Sequence, residues 1–197
     1  MAIRIKSHQV NVPVTSVGVA LMKTGQTTSY RTGDDGDIEP GRATSFTVLS
    51  ANNPFGNTNR FTDELGGSTY TKDIVIDWST YDGTEVLGYY RTINGSDVTW
   101  NTAIDSAAAI SVTGFTSGWR LPNKREMENI FNYGLSSCMN YSPFNITNTI
   151  WCSTTYTAST TLAYTATTSW INLSSKSGNG GRYIGVRNFT VTGTTLT

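Results

Sequence analysis

Charged residues are scarce in this 197-residue chain, since Lys, Arg, Asp and Glu make up 14% of it, against about 25% in an average soluble protein. The 14 basic and 14 acidic side chains cancel to a formal net charge of zero. The basic residues form no cluster that could neutralise a run of phosphates, which is how proteins hold nucleic acids. We therefore expect no nucleic-acid partner.

Long apolar runs are absent as well. No segment approaches the roughly 18 consecutive apolar residues that cross a bilayer, so we expect no membrane insertion. Polar side chains also interrupt residues 1–14, which is not the pattern of a secretory signal. A surface-type composition without an export signal favours a virion protein; a chain trimmed of its signal is the alternative.

Histidine and cysteine are too few for most site chemistry. His8 is the single histidine, and Cys138 and Cys152 are the two cysteines. These residues fall short of the four ligands of a structural zinc site, and nothing near His8 resembles a nucleophile motif. We predict that the protein is not an enzyme. The cysteines could form a disulfide or remain free thiols.

Thr, Val, Ile and Tyr are abundant in the chain, and this composition favours strands. Strand signals occur over residues 44–49, 70–78, 85–93, 149–156, 161–173 and 182–191. Asp82-Gly83 and Asn94-Gly95 are turn dipeptides, and they predict a β-hairpin around the segment between them.

Two short helices are predicted between these strand blocks. Trp100, Ala103, Ile104, Ala107 and Ala108 recur at helical spacing, with Ser96, Asp97 or Thr99 as the cap. In the second helix Asn123 caps, Glu126 completes a capping box, and Gly134 ends the helix; the buried stripe is Met127, Ile130 and Phe131. The order of strands, helices and strands predicts an α+β fold with strand-rich antiparallel sheets.

Residues 1–22 alternate apolar and polar side chains around Pro13. We interpret them as an N-terminal arm or as edge strands, because proline is confined to the edges of sheets. Such an arm could dock on another virion protein; the alternative is that it completes the domain's own sheet.

Residues 118–129 read GWRLPNKREMEN. This segment resembles the WRLPT-x-x-E-L signature of a lectin-like family named after the C-terminal domain of a collagen-like bacterial adhesin. Four further blocks resemble the family in its own order: KTGQTTSYRTGDDGDIEPG at 23–41, RFTDELGGSTYTKDIVIDW at 60–78, IWCSTTY at 150–156 and RYIGVRNF at 182–189. The resemblance implies a C-type-lectin-like domain over residues 23–197. Cys152 stands where the family has Ser, and residues 185–188 lack the family's late Cys.

The core motif has a structural interpretation of its own. Trp119 can bury its ring against a sheet, Arg120 can donate to carbonyls or a carboxylate, and Pro122 fixes the chain ahead of the Asn123 cap. We therefore assign Trp119, Arg120, Pro122 and Glu126 to the scaffold.

Asp34, Asp35 and Asp37 around Gly36 form a candidate calcium loop, because hard cations need several oxygen ligands and glycine permits the turn. The spacing is not that of the EF-hand loop, and Asp and Gly are also ordinary turn residues.

The late strands are where lectin-like folds of this kind carry a variable binding face. Tyr156, Tyr164, Trp170 and Asn172 offer flat rings and an amide for stacking on and hydrogen-bonding a ligand. The alternative is that half of them are core, as alternation in a strand requires.

These observations predict a non-catalytic virion surface protein, a fibre tip or decoration, that attaches to a host-surface glycan or protein. A purely structural head or tail decoration and a secreted bacterial adhesin, at the cell surface or outside the cell, are the alternatives. We expect a homo-oligomer that also contacts other virion proteins.

Overall fold

The computed structural model describes residues 24–29, 31–32, 43–49, 51–156 and 161–197. The predicted arm, residues 1–22, and the candidate calcium ligands Asp34, Asp35 and Asp37 lie outside the described residues.

The described chain is strand-rich with two short α-helices, and the α+β prediction is confirmed. The strands in chain order are β1 Ala43–Ser45, β2 Val48–Leu49, β3 Phe61–Thr62, β4 Ile74–Asp77, β5 Glu85–Tyr90, β6 Ile150–Thr155, β7 Leu162–Ala166, β8 Ile171–Ser175, β9 Gly185–Thr192 and β10 Thr195–Leu196. The helices are α1 Trp100–Ala108 and α2 Lys124–Asn129.

The strands form three sheets. The largest has five strands in the order β10-β9-β5-β4-β3, the second has three in the order β6-β7-β8, and β1 pairs with β2. Every one of these strand pairs is antiparallel, as predicted. The long pairing of β5 with β9 joins the middle of the chain to its end.

Both helices form where their caps predict. Thr99 caps α1 by accepting a hydrogen bond from the Thr102 amide. Asn123 and Glu126 form the full capping box of α2. These signals are local, so neighbouring strands do not alter them.

The predicted end of α2 at Gly134 is wrong, because the helix stops at Asn129. Beyond it the backbone bonds to distant segments instead, and the Tyr133 amide donates to the Thr24 carbonyl at 2.8 Å. Gly134 serves a close approach, since a Cβ there would stand 2.1 Å from the Gly25 carbonyl oxygen.

Two strand predictions also need correction. The segment 161–173 is not one strand, because it divides into β7 and β8 around a turn in which the Thr167 amide donates to the Trp170 carbonyl at 2.8 Å. The Asp82-Gly83 turn does lie between the paired strands β4 and β5. Asn94-Gly95 ends no hairpin, since the other neighbour of β5 is the distant β9.

Buried clusters lie on both faces of the three-stranded sheet, and a further one packs on the five-stranded sheet around Ile76, Trp119 and Phe189. Ile150 and Cys152 of β6 join the largest buried cluster, which includes Met127 of α2. Trp151, between them, points to the other face and packs with Ala103 and Ala107 of α1. No helix in the described part of the chain is long and apolar enough to span a membrane.

Candidate functional site

Two of the quoted sequence blocks, residues 60–78 and 118–129, meet at one buried ion pair. Arg60 donates from Nε and Nη2 to the two carboxylate oxygens of Asp77 at 2.9 and 2.8 Å, and both side chains are 0% exposed. Arg60 also donates to the Asn129 carbonyl at 2.6 Å, and the Asn129 amide donates to Asp77 at 2.8 Å. The guanidinium carbon lies 4.5 Å from the ring centroids of Phe46 and Phe61. The pair thus joins β4 to the end of α2.

Burial alone would lower the pKa of Arg60, but the charge and hydrogen bonds of Asp77 outweigh it and the pKa is raised. The guanidinium therefore stays charged inside the domain, held by its partners.

The side chains of the WRLP motif are engaged within the domain. Trp119 is 3% exposed, and its indole donates to the Phe115 carbonyl at 2.8 Å. Arg120 donates to both oxygens of Glu126 at 2.7 and 2.5 Å. The Pro122 carbonyl accepts from the Ser153 amide of β6 at 2.8 Å.

Asp63 organises the loop before β4. Its carboxylate accepts hydrogen bonds from the amides of Leu65, Gly67 and Tyr70 and from the Thr69 hydroxyl. Burial alone would raise the pKa of Asp63, but the hydrogen bonds together lower it by more. The pKa of Asp63 therefore lies below its usual range.

Both cysteines are free and buried, so the disulfide alternative is not realised. Burial raises the pKa of the Cys152 thiol to about 12 and also raises that of Cys138. A thiol that stays protonated is a poor nucleophile, and neither cysteine has the environment of a reactive one.

The predicted binding residues are not gathered into one site. Tyr156 and Tyr164 do meet: their ring centroids are 6.3 Å apart in an edge contact, and Tyr156 is 42% exposed. Lys124 places its ammonium 4.8 Å from the Tyr164 centroid. Leu173 lies opposite Tyr164 across the β7–β8 ladder and is 37% exposed. We call this surface, made of Tyr156, Tyr164, Lys124 and Leu173, the tyrosine patch.

Trp170 lies at the other end of the sheet. It sits in the turn between β7 and β8 and is 61% exposed. The Tyr156 amide bonds to the carbonyl of residue 162, and the Trp170 carbonyl bonds to the amide of residue 167. Residues 162 and 167 are five steps apart, which is roughly 16 Å along the strand. One small ligand cannot contact both Trp170 and Tyr156 at that spacing.

Asn172 points to the face opposite Tyr164. It stands across from Thr165 in the β7–β8 register, and Thr165 is the residue after Tyr164. Because consecutive strand residues face opposite sides, Asn172 is not part of the tyrosine patch. Its side-chain oxygen accepts from the Leu173 amide at 2.8 Å.

A polar cleft lies at the same sheet end as Tyr156. It encloses about 270 Å³. Its lining is Asn101, Thr161, Ser175, Lys176 and Ser177. The Lys176 ammonium is 4.4 Å from the ring centroid of Trp100, and the Trp100 amide donates to the Lys176 carbonyl at 3.1 Å.

Sequence reasoning missed Lys124, Trp100 and Lys176. Trp100 and Lys124 are helix residues outside the late-strand segment, and Lys176 looks like a turn residue. Only the packing of α1 and α2 beside the three-stranded sheet brings these side chains to the aromatic rings there. Helical spacing did mark Trp100, but as a core residue.

No group of three or more His, Cys, Asp or Glu side chains that could hold a metal ion occurs among residues 24–29, 31–32, 43–49, 51–156 and 161–197. A second cleft, of about 250 Å³, carries the carboxylates of Asp82, Glu85 and Glu126. Glu126 is bound to Arg120 there, and Glu85 accepts from the Asn188 amide at 3.1 Å.

The family model described as Lcl C-terminal domain matches residues 61–187, which include most of four of the five quoted blocks. The block at residues 23–41 lies outside the match. No curated protein and no solved structure matches the chain. The C-type-lectin-like fold therefore stays a prediction beyond the α+β class.

Proposed function

The chain belongs to the Lcl C-terminal domain family of adhesin-like domains, and from that premise we propose that it is a non-catalytic attachment domain. It binds a glycan or a protein receptor on a host surface through the tyrosine patch. A purely structural decoration protein without a ligand is the alternative.

The exposed edge contact of Tyr156 on Tyr164 carries this proposal. An isolated exposed tyrosine needs no explanation, but Tyr156 is fixed by a second ring, and that ring is held beneath the Lys124 ammonium. Fixed aromatic faces bind ligands at low entropic cost, because little side-chain freedom is lost on contact. The polar cleft at the same end of the sheet supplies hydroxyl, amide and ammonium groups that can orient a polar ligand.

The non-catalytic part of the proposal rests on how the motif side chains are used. Asp77, Asp63 and Glu126 are carboxylates of the quoted blocks, and each accepts several hydrogen bonds from within the domain. A general acid or base needs a proton that it can exchange with a substrate. These carboxylates instead hold loops and strands together.

We further propose display on a virion surface, contacts with other virion proteins and a homo-oligomeric assembly. Support comes from the low charge content of 14%. Mass spectrometry of purified particles and light scattering of the isolated protein test these points separately.

The test of ligand binding is a glycan array probed with the full chain, with and without calcium. We expect specific binding to a subset of glycans that is lost in Tyr156→Ala. Tyr133→Ala is the matched control, because Tyr133 is also an exposed tyrosine, at 47%, but lies in the loop after α2. Trp170→Ala reports on the opposite end of the sheet.

Binding lost equally in Tyr156→Ala and Tyr133→Ala would contradict the patch assignment. If the array stays silent, the same variants are compared for adsorption to host cells. Equal adsorption of the parent and Tyr156→Ala would then contradict the attachment function itself.

A further inference from the structure

The outer edge of β8 is longer and less covered than the other strand edges compared below. The edges of the five-stranded sheet, β3 and β10, are two residues long. The outer side of β6 is covered, because the Trp151 amide donates to Arg182 and the Ser153 amide to Pro122, each at 2.8 Å. β8 has five residues, INLSS, without a charge, a proline or a glycine. Such edges attract other strands unless something covers them.

The hydrogen-bond pattern shows which groups of β8 face outward. The Trp170 carbonyl and the Lys176 amide both bond to the β7 side, at 2.8 and 2.9 Å. Because hydrogen bonding alternates along an antiparallel strand, the backbone N–H and C=O groups of residues 171, 173 and 175 point away from β7. The Leu173 amide donates to the Asn172 side-chain oxygen. Among the described residues the structure shows no hydrogen-bond partner for the amides of Ile171 and Ser175.

Exposed apolar side chains flank the start of this edge. Trp170 is 61%, Tyr133 47% and Leu135 41% exposed. The Ser169 hydroxyl donates to the Ser136 carbonyl at 2.9 Å, so the β7–β8 turn rests on the loop that carries Tyr133 and Leu135. Backbone donors and apolar surface are therefore offered side by side.

The described chain begins beside this surface, because the Thr24 carbonyl accepts from the Tyr133 amide at 2.8 Å. We propose that the β8 edge is the docking site of residues 1–22 of the same chain, which add an antiparallel strand there. The direction follows from position: β8 runs away from the turn, whereas a segment that ends at Thr24 runs towards it. At about 3.3 Å per residue, 22 residues extend about 70 Å, far more than five-residue β8 requires.

The sequence of the segment fits the edge. Val10, Val12 and Val14 are spaced two residues apart. In one register the backbone N–H and C=O groups of all three therefore face β8, and their side chains lie on one face of the sheet. Pro13 then has its missing N–H on the outer side, where an edge strand tolerates it and where it blocks further pairing. The apolar side of the strand covers Trp170 and its neighbours.

The test is amide hydrogen exchange by NMR on the full chain, together with acrylamide quenching of Trp170. The contribution of Trp170 to the quenching is obtained by subtracting the signal of the same protein carrying Trp170→Phe, for the parent and for each variant. We expect the amides of Ile171 and Ser175 to be protected and Trp170 to be shielded. The triple variant Val10→Asp, Val12→Asp, Val14→Asp should raise exchange at both amides about tenfold or more and unshield Trp170.

The matched control adds the same charge on the other face, with Gln9→Asp, Asn11→Asp and Thr15→Asp, and should leave both readouts as in the parent. Protected core amides of Val75 and Tyr89 show that each variant is folded. Fast exchange at Ile171 and Ser175 in the parent, or equal effects of the two triple variants, would overturn the proposal. Protection that appears only in concentrated samples would overturn it in favour of a second copy of the chain.

Discussion

Arg60→Met tests whether the buried ion pair holds the domain together. The change keeps much of the side-chain volume but leaves the Asp77 carboxylate, 0% exposed, without its cation. Two hydrogen bonds to Asp77 remain, from the Ser79 amide and the Asn129 side chain. Breaking a buried pair from one side costs about 3–5 kcal/mol, because the remaining charge stays desolvated.

The assay is equilibrium unfolding in urea followed by tryptophan fluorescence. With a slope of about 2 kcal/mol per molar urea, the expected loss moves the midpoint down by about 2 M. Arg125→Met is the matched control, since Arg125 is 88% exposed and pairs with Glu128 at 3.5 Å. Exposed pairs of this kind contribute at most about 0.5 kcal/mol.

A loss below about 1 kcal/mol in Arg60→Met would refute the reasoning, because it would mean that Asp77 is compensated without Arg60. The double variant Arg60→Met, Asp77→Leu adds a second check. It should be more stable than Arg60→Met alone, since it removes the uncompensated charge.

Three further predictions concern other parts of the domain. Asp63 has a lowered pKa, so it stabilises the fold above its unfolded pKa of about 4 and loses this effect as pH falls through the folded pKa; Asp63→Asn should therefore lower the urea midpoint near neutral pH and flatten its fall in acid. Cys138 and Cys152 are buried with raised pKa values, so a thiol reagent near pH 8 should label neither in the folded protein and both in urea. Gly88→Ala would place a Cβ 2.4 Å from the ring of Phe189, which is 0% exposed, and should cost about 1–3 kcal/mol in the same unfolding assay.

The parts of the fold that were predictable are those written in short stretches of sequence. The cap at Asn123 and the spacing of Trp100, Ala103 and Ala107 act within a few residues, and both helices begin where expected. The division of residues 161–173 into two strands and the end of α2 before Gly134 depend on distant contacts. Periodicity within a window cannot register such contacts.

The candidate site shows the same limit. Residue type singled out Tyr156 and Tyr164, whose rings touch, but composition cannot tell which face a strand residue uses or where a hairpin turns. The β7–β8 register alone separates Asn172 from Tyr164, and the turn alone carries Trp170 away. Lys124 enters through helix packing, which the late-strand sequence does not contain.

The contacts of the quoted motifs divide the chain by task. Arg60, Asp77 and Asn129 bind one another and join the blocks at 60–78 and 118–129, and Arg120 binds Glu126 within the second block, so these side chains act as scaffold. A side chain committed to such a contact cannot select a ligand without breaking it, and the buried pair would lose about 3–5 kcal/mol in doing so. If the proposed attachment function holds, ligand choice comes from residues that make none of these motif contacts. The exposed ring of Tyr156 and the polar cleft that Lys176 lines meet this condition. Substitutions there should change what is bound while leaving the urea midpoint close to that of the parent.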